Sequence, residues 1–250
     1  MNAATEVAAV QARSVNLVAG NTRILRDCSV IIPQRGLTSI VGSSGAGKTS
    51  LLYCLSGLDQ PDSGQILIGK TDIYSLGREV RAKFLRENVG FVFQQYNLIP
   101  YLTVEENIML PSTMAHRKLD PDFLTHTMET FGLLEKRKSP ASLLSGGEQQ
   151  RTALCRSIVL SPAVIFADEP TGALDSKNSS LVLKSLRDLA SEGATIVMVT
   201  HDVDAAALAD RVVFMHDGTV TNISSGQITS NEISSILRGE QGIDPECRRA

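Results

Sequence analysis

The chain has 250 residues, 42% of them hydrophobic and 20% charged, which is ordinary for a folded protein with a real buried core. Its formal net charge of −3 lacks the basic excess of a nucleic-acid-binding domain, so no nucleic-acid partner is expected. Cys28, Cys54, Cys155 and Cys247 form no CxxC pair, which points to free thiols in a reducing compartment and away from metal ligation.

Residues 1–13 show no basic segment followed by an apolar core, so no signal peptide is expected. No apolar run approaches the roughly 18 residues of a membrane span, so if the protein serves a membrane, the spanning part is expected from another chain. Residues 10–32 and 65–68 alternate like antiparallel strands, with "PDSG" and "IGK" as turns. Short apolar runs predict strands at Leu37–Val41, Val89–Phe93, Val164–Ala167, Thr195–Thr200 and Val212–His216. With helical patterns between them, they indicate an α/β protein with a largely parallel sheet. From Leu98 to Leu143 the pattern is helical, interrupted by the loop "EKRKSPAS", whose Lys136–Lys138 reads as solvated surface. The helix beginning in "LSGGEQQR" puts Ala153, Leu154, Ser157 and Ile158 on one packable face. After Gly226 a tail contains Thr229 and Glu232, which fit a capping box, and Gly239, which fits a helix stop.

The strand Leu37–Val41 runs into Gly42-Ser43-Ser44-Gly45-Ala46-Gly47-Lys48-Thr49 and then the helical "KTSLLYCLSGL". This is the G-x-x-x-x-G-K-[ST] pattern in its required strand–helix setting. Its glycines let successive N–H groups point at phosphate oxygens, and the helix adds the positive end of its dipole. Lys48 is expected to reach the β- and γ-phosphates, and the Thr49 hydroxyl to ligate Mg²⁺. The strand at Val164–Ala167 ends in Asp168 and Glu169, which divide the labour. Asp168 is assigned to the magnesium, as in phosphate-loop NTPases, and Glu169 to orienting or deprotonating the attacking water. His201, after the strand Thr195–Thr200, is expected at the same edge, holding the γ-phosphate and either Glu169 or the water. Gln94, ending "VGFVFQ", is expected to sense Mg²⁺ and the water. His116, His126 and His216 read as ordinary surface or core residues. At "LSGGEQQR" (Leu144–Arg151), Ser145 fits an N-cap, and Gly146 and Gly147 leave bare N–H groups at a helix start. No lysine follows, so this turn is either a structural cap or half a phosphate site.

From about Val10 to Val220 the chain resembles the ATP-binding cassette of ABC transporters. The resemblance rests on an ordered set: Gly42–Thr49, Gln94, the signature Leu144–Arg151, Asp168-Glu169, "GALD" at Gly172–Asp175, and His201. It implies an α/β fold with a phosphate-loop NTPase core, an N-terminal antiparallel β subdomain and a helical signature subdomain. A single ATPase domain is expected over residues 1–225, with the helical part at about 98–160 and a tail at 226–250. The resemblance also implies ATP and Mg²⁺ as ligands. The nucleotide contacts it implies are Gly42, Ser43, Ser44, Gly45, Ala46, Gly47, Lys48, Thr49, Ser50 and Asp168, with Ser145, Gly146, Gly147, Glu148 and Asp175 at the signature side. Metal contacts fall to Thr49, Gln94 and Asp168, and catalysis to Glu169, His201 and Gln94. In that family two cassettes meet head to tail, each ATP lying between one chain's phosphate loop and the other's Ser-Gly-Gly turn.

"FVFQQYNLIPYLTVEENI" and "DEPTGALD" resemble the bacterial branch of macrolide exporters, lipoprotein-releasing pumps, haem exporters and the cell-division cassette. That implies a partner permease on a separate chain and a place at the cytoplasmic face of the cell membrane. The work done is export or extraction of a substrate, or else mechanotransmission without transport. Tyr96–Leu102 reads as a docking surface for the permease or as a buried connection. Aligned on Gly20, Ala19 occupies the position where the family carries an adenine-stacking aromatic.

Overall fold

A computed structural model describes residues 8–239 of the protein. The chain opens with β1 (Ala8–Ala19) and β2 (Thr22–Pro33), then β3 (Gly36–Gly42), α1 (Lys48–Ser56), β4 (Ser63–Ile68) and β5 (Thr71–Asp72). Next come α2 (Arg78–Asn88), β6 (Val89–Val92), α3 (Val104–Met114), α4 (Pro121–Thr130) and α5 (Gly146–Ile158). The remainder is β7 (Val164–Asp168), α6 (Ser176–Ser191), β8 (Thr195–Val199), α7 (Val203–Ala207), β9 (Arg211–His216), β10 (Thr219–Ser225) and α8 (Ser230–Leu237).

One sheet, ordered β2-β1-β4-β5, is antiparallel throughout. The other, ordered β10-β9-β3-β8-β7-β6, is parallel except at the β9–β10 hairpin. The expected α/β class and its antiparallel N-terminal part are therefore observed, and each of the five expected core strands is present. Their continuous apolar runs reflect burial on both faces. In β7, Val164 and Phe166 face the layer that holds α1 and the antiparallel sheet. Ile165 and Ala167 alternate into the layer built by the helices on the other side.

Two elements were not legible in advance. In α2, "REVRAKFLREN" has no fully buried residue, so no apolar stripe announces it. In β10, "TVTNISS" is polar and half-buried and becomes a strand by pairing with β9.

The capping box at Thr229 and Glu232 is present, and Gly239 follows α8 with φ +73°. Ile228 and Ile233 are buried in the core, so the described part of the tail packs on the domain. Residues 240–250, with Cys247, lie outside the described residues. Cys28, Cys54 and Cys155 are buried free thiols, and burial pushes the Cys54 thiol up to about 12. Among the described residues no helix is long and apolar enough to cross a membrane.

The stretch Lys136–Lys138 is not simply solvated. Arg137 and Lys138 both pair with Glu105 in the first turn of α3, and Lys136 lies 3.7 Å from Glu148. The two cations at Glu105 hold its carboxyl well below the usual range, at about 2. The loop is thereby tied back onto the helical subdomain.

Candidate nucleotide site

Because β3, β8, β7 and β6 run parallel and adjacent, the loops leaving them emerge at one edge of the sheet. That edge is where open α/β sheets place their ligands. The loop after β3 is the glycine-rich turn, β8 leads to His201, β7 ends in Asp168 with Glu169 after it, and β6 leads to Gln94. Sequence positions more than a hundred residues apart are thus gathered by strand order alone.

Gly42 to Gly47 bridge β3 and α1. Gly47 has φ +91°, and a Cβ on it would lie 2.9 Å from the Ile24 carbonyl oxygen. Only glycine suits that position. Gly47 also caps α1 without any side-chain hydrogen bond. The first-turn N–H groups of α1 therefore meet no side-chain competitor, which is the arrangement an anion needs. Ser43, Ser44 and Gly45 are exposed, Ala46 is buried beneath the turn, and Ser50 is half-buried in the first helical turn. Lys48 Nζ donates to the Gly42 and Ser43 carbonyls at 3.0 and 2.9 Å, folded over its own loop. It lies where an incoming phosphate could draw it away from those carbonyls.

Thr49 Oγ1 donates to Asp168 Oδ1 at 3.0 Å. Burial pushes the Asp168 carboxyl up, opposed by its bonds to Thr49 and Tyr53. A buried acid close to one hydroxyl is a pair of hard oxygen ligands, suited to Mg²⁺. Among the described residues no group of three His, Cys, Asp or Glu side chains could hold a metal alone. A cation here would complete its shell with oxygens from outside the chain, water or phosphate, which fits a nucleotide-linked ion.

Glu169 does not continue β7. Its φ is +46°, uncommon for a non-glycine residue. Its N–H bonds to the Val199 carbonyl at 3.0 Å, so β8 holds the turn in place. His201 Nδ1 lies 2.7 Å from Glu169 Oε2, with the His201 side chain 71% exposed and the Glu169 side chain 15%. An ionised carboxylate can only accept, so Nδ1 carries the proton in this contact. Of the partners expected for His201, Glu169 is in contact with it. Gln94 joins the same corner: a Cβ on Gly172 would lie 3.3 Å from Gln94 Nε2.

The signature turn is organised by a capping box. Ser145 N–H and Oγ–H both donate to Glu148 Oε2 at 2.8 Å, and Glu148 N–H returns a bond to Ser145 Oγ. These bonds hold the Glu148 carboxyl below its usual range, so Glu148 faces back onto its own cap. The nearest atoms around Cβ positions on Gly146 and Gly147 belong to Tyr96, Leu174 and Asn178, none of which lies in the phosphate loop. The buried face of α5 is broader than expected and includes Gln150, Thr152 and Cys155 beside Ala153, Leu154 and Ser157, with Ile158 only partly buried. Asp175 caps α6 by accepting from Asn178 N–H at 2.9 Å, and that bond lowers its pKa.

Several residues of the site carried no signal in the sequence. Arg156 of α5 donates to the carbonyls of Tyr96 and Asn97 at 2.7 and 2.6 Å, holding two consecutive positive-φ residues in place. Asn107, fully buried in α3, bonds both the N–H and the carbonyl of Ile99 and also reaches the carbonyls of Leu102 and Thr103. Together they shape residues 96–102. Within that segment Leu98 packs on the core, while Ile99 and Tyr101 face solvent, Tyr101 at 89% exposure.

Residues 25–172 match the sequence profile of the ABC transporter family. The chain is 40% identical over 203 residues to the macrolide export ATP-binding/permease protein MacB of Campylobacter jejuni subsp. jejuni serotype O:23/36 (strain 81-176). That match covers 80% of this chain and 32% of the relative, so the chain spans about a third of that relative's length. The lipoprotein-releasing system ATP-binding protein LolD of Leptospira interrogans is 37% identical over 218 residues, covering 86% of this chain and 92% of LolD. The bacitracin export ATP-binding protein BceA of Halalkalibacterium halodurans is 37% identical over 224 residues, with 88% of each chain covered. Among solved structures, the dimeric post-hydrolysis state of the ATP-binding cassette MJ0796 bound to ADP and Pi is similar with a TM-score of 0.77. It is 32% identical, and the match covers 86% of this chain and 98% of that one.

Proposed function

The chain belongs to the ATP-binding cassette ATPases of the ABC transporter family, and from that membership we propose that it powers a separate membrane subunit by binding and hydrolysing ATP between two copies of itself. The observation that carries this reading is the division of the phosphate chemistry. A complete lysine-bearing loop gathers Asp168, Glu169 and His201, while a second, lysine-free helix N-terminus at Ser145–Gly147 has neighbours outside that loop.

In the proposed site, Gly42–Ser50 cradle the triphosphate through backbone N–H groups, and Lys48 exchanges its two carbonyl partners for phosphate oxygens. Thr49 and Asp168 hold Mg²⁺, with Gln94 beside them. When bound, the ion neutralises charge on the phosphates and orients them for in-line attack. Glu169 accepts a proton from the attacking water, and His201 holds the Glu169 carboxylate in place. Ser145, Gly146, Gly147 and Asp175 close the site of the second copy, with Glu148 bracing Ser145 through the capping box. The ATPase domain spans 1–225 on this reading, with its helical part at about 98–160 and the residues from 226 as its tail.

For the work done we propose export or extraction of a substrate at the cytoplasmic face of the cell membrane. Relatives named for macrolide export, lipoprotein release and bacitracin export support that direction. The permease should dock on the exposed Ile99–Tyr101 corner. An affinity-tagged chain should retain an integral membrane protein from detergent extracts, and Tyr101→Glu should lose it while binding ATP normally. Recovery of no membrane protein by the wild type, or equal recovery by Tyr101→Glu, would count against this docking assignment.

Ala19 is exposed at the end of β1. With no aromatic there, adenine lacks a stacking partner at that position. Ala19→Tyr or Ala19→Trp should tighten ATP binding by the strength of one base–aromatic stack, about 1–3 kcal/mol. Calorimetry decides this, and unchanged affinity would mean that adenine sits elsewhere.

A further inference from the structure

Gly147 is buried, and the direction a side chain would take is filled by its own chain. A Cβ there would lie 2.2 Å from Asn178 Oδ1 and 2.5 Å from Asn178 Cγ. Asn178 stands in the first turn of α6. Its Nδ2 donates to Asp175 Oδ2 at 2.7 Å, while its Oδ1 lies against Gly147, 3.5 Å from Arg151 Nη1. One side chain therefore holds the Asp175 carboxylate and fills the groove that Gly147 leaves open. A second tie runs parallel to it. Gln150 is fully buried and donates from Nε2 to the Pro170 carbonyl at 2.6 Å, yet its Oε1 has no partner. A buried acceptor without a partner weakens a fold. The bond that Gln150 does make fastens α5 to the turn after Glu169.

We propose that Asn178 is a positioning residue that locks Asp175 and the Ser145–Gly147 turn into one rigid surface, presented as a unit to the nucleotide of a second cassette. The proposal rests on the shared-site reading and deepens it. It also gives Gly147 an intrachain role: its missing side chain admits Asn178, in addition to baring an N–H group. Asn178 bonds to none of Gly42–Thr49, so losing its side chain should spare the chain's own phosphate loop. The α6 cap also survives, because it uses the backbone N–H of residue 178.

The test uses full-length protein in a Glu169→Gln background, with ATP-driven dimerisation measured by sedimentation and ADP binding measured on the monomer. Asn178→Ala should leave ADP affinity unchanged and raise the protein concentration needed for dimerisation by about tenfold, equivalent to 1.4 kcal/mol. Gly147→Ala should fail to dimerise at the same concentrations, its methyl colliding with Asn178. The double variant Gly147→Ala/Asn178→Ala should recover much of the loss, because the remaining Cβ at 178 would stand 3.1 Å from the new methyl, a contact that a small shift relieves. The proposal is overturned if Asn178→Ala dimerises as its parent does, or if the double variant folds but is no better than Gly147→Ala. A parent that dimerises with ATP keeps the shared-site reading in place under either result. A parent that stays monomeric removes that reading, and this proposal with it.

Discussion

Glu169→Gln should reduce ATP turnover by about 10²–10⁴-fold, the range expected when a positioned general base is removed. The amide keeps the side chain's size, so neither Asp168 nor the bond from Glu169 N–H to Val199 should be disturbed. An amide oxygen can still accept from His201 Nδ1, but it cannot take a proton from water at neutral pH. Binding and chemistry should therefore separate. Nucleotide affinity should stay near wild type, and ATP should hold two chains together long enough to double the mass seen in solution. Turnover at the wild-type rate in this variant would remove Glu169 from the chemistry and leave its unusual φ without a functional reading.

The second large effect is complementation between two inactive proteins. Lys48→Ala removes the cation that the chain's own phosphate loop offers. Gly146→Asp instead places a carboxylate where the partner's triphosphate should lie, and like charges in a partly desolvated interface oppose closure. Gly146 is the better choice for this experiment than Gly147. A Cβ on Gly146 meets Tyr96 Oη at 3.2 Å and Leu174 Cδ2 at 3.7 Å, whereas one on Gly147 would strike Asn178. Each variant alone should fail to associate on adding ATP. Mixed, they form a pair in which one site unites both lesions and the other is whole. It draws Lys48 from the signature variant and an unaltered Ser-Gly-Gly turn from the lysine variant. The mixture should therefore associate with ATP where neither parent does. A mixture that stays monomeric, or fast hydrolysis by a monomeric wild type, would defeat the shared site.

Both expectations rest on residues that could be read before any coordinates. The phosphate-loop pattern of Gly42–Thr49 is local. It needs a contiguous turn, a strand before it and a helix after it, and all three leave their pattern in adjacent residues. The same holds for the apolar runs of β3, β7, β8 and β9, and for Ser145 with Glu148 or Thr229 with Glu232, where cap and partner are three positions apart. Charged surface reads less well. Lys136–Lys138 looks like a solvated run because its carboxylate, Glu105, is some thirty residues away in another element.

Single short segments carry their own pattern in the sequence: the glycine-rich loop with its lysine, the acidic pair, the histidine after β8, and the order in which they occur. Only the tertiary structure decided how those segments are held. Strand order brought His201 to 2.7 Å from Glu169. Packing of the helices set Arg156 against the carbonyls of Tyr96 and Asn97, bonded Asn107 to Ile99, and packed Leu98 on the core while leaving Tyr101 exposed. It also filled the space over Gly147 with Asn178. The physical reason is range. Backbone geometry and capping act over a few residues and mark the sequence with a period or a spacing. A buried amide or guanidinium finds its partner across a packed interface, where the polar residue looks the same in the sequence whether or not that partner exists.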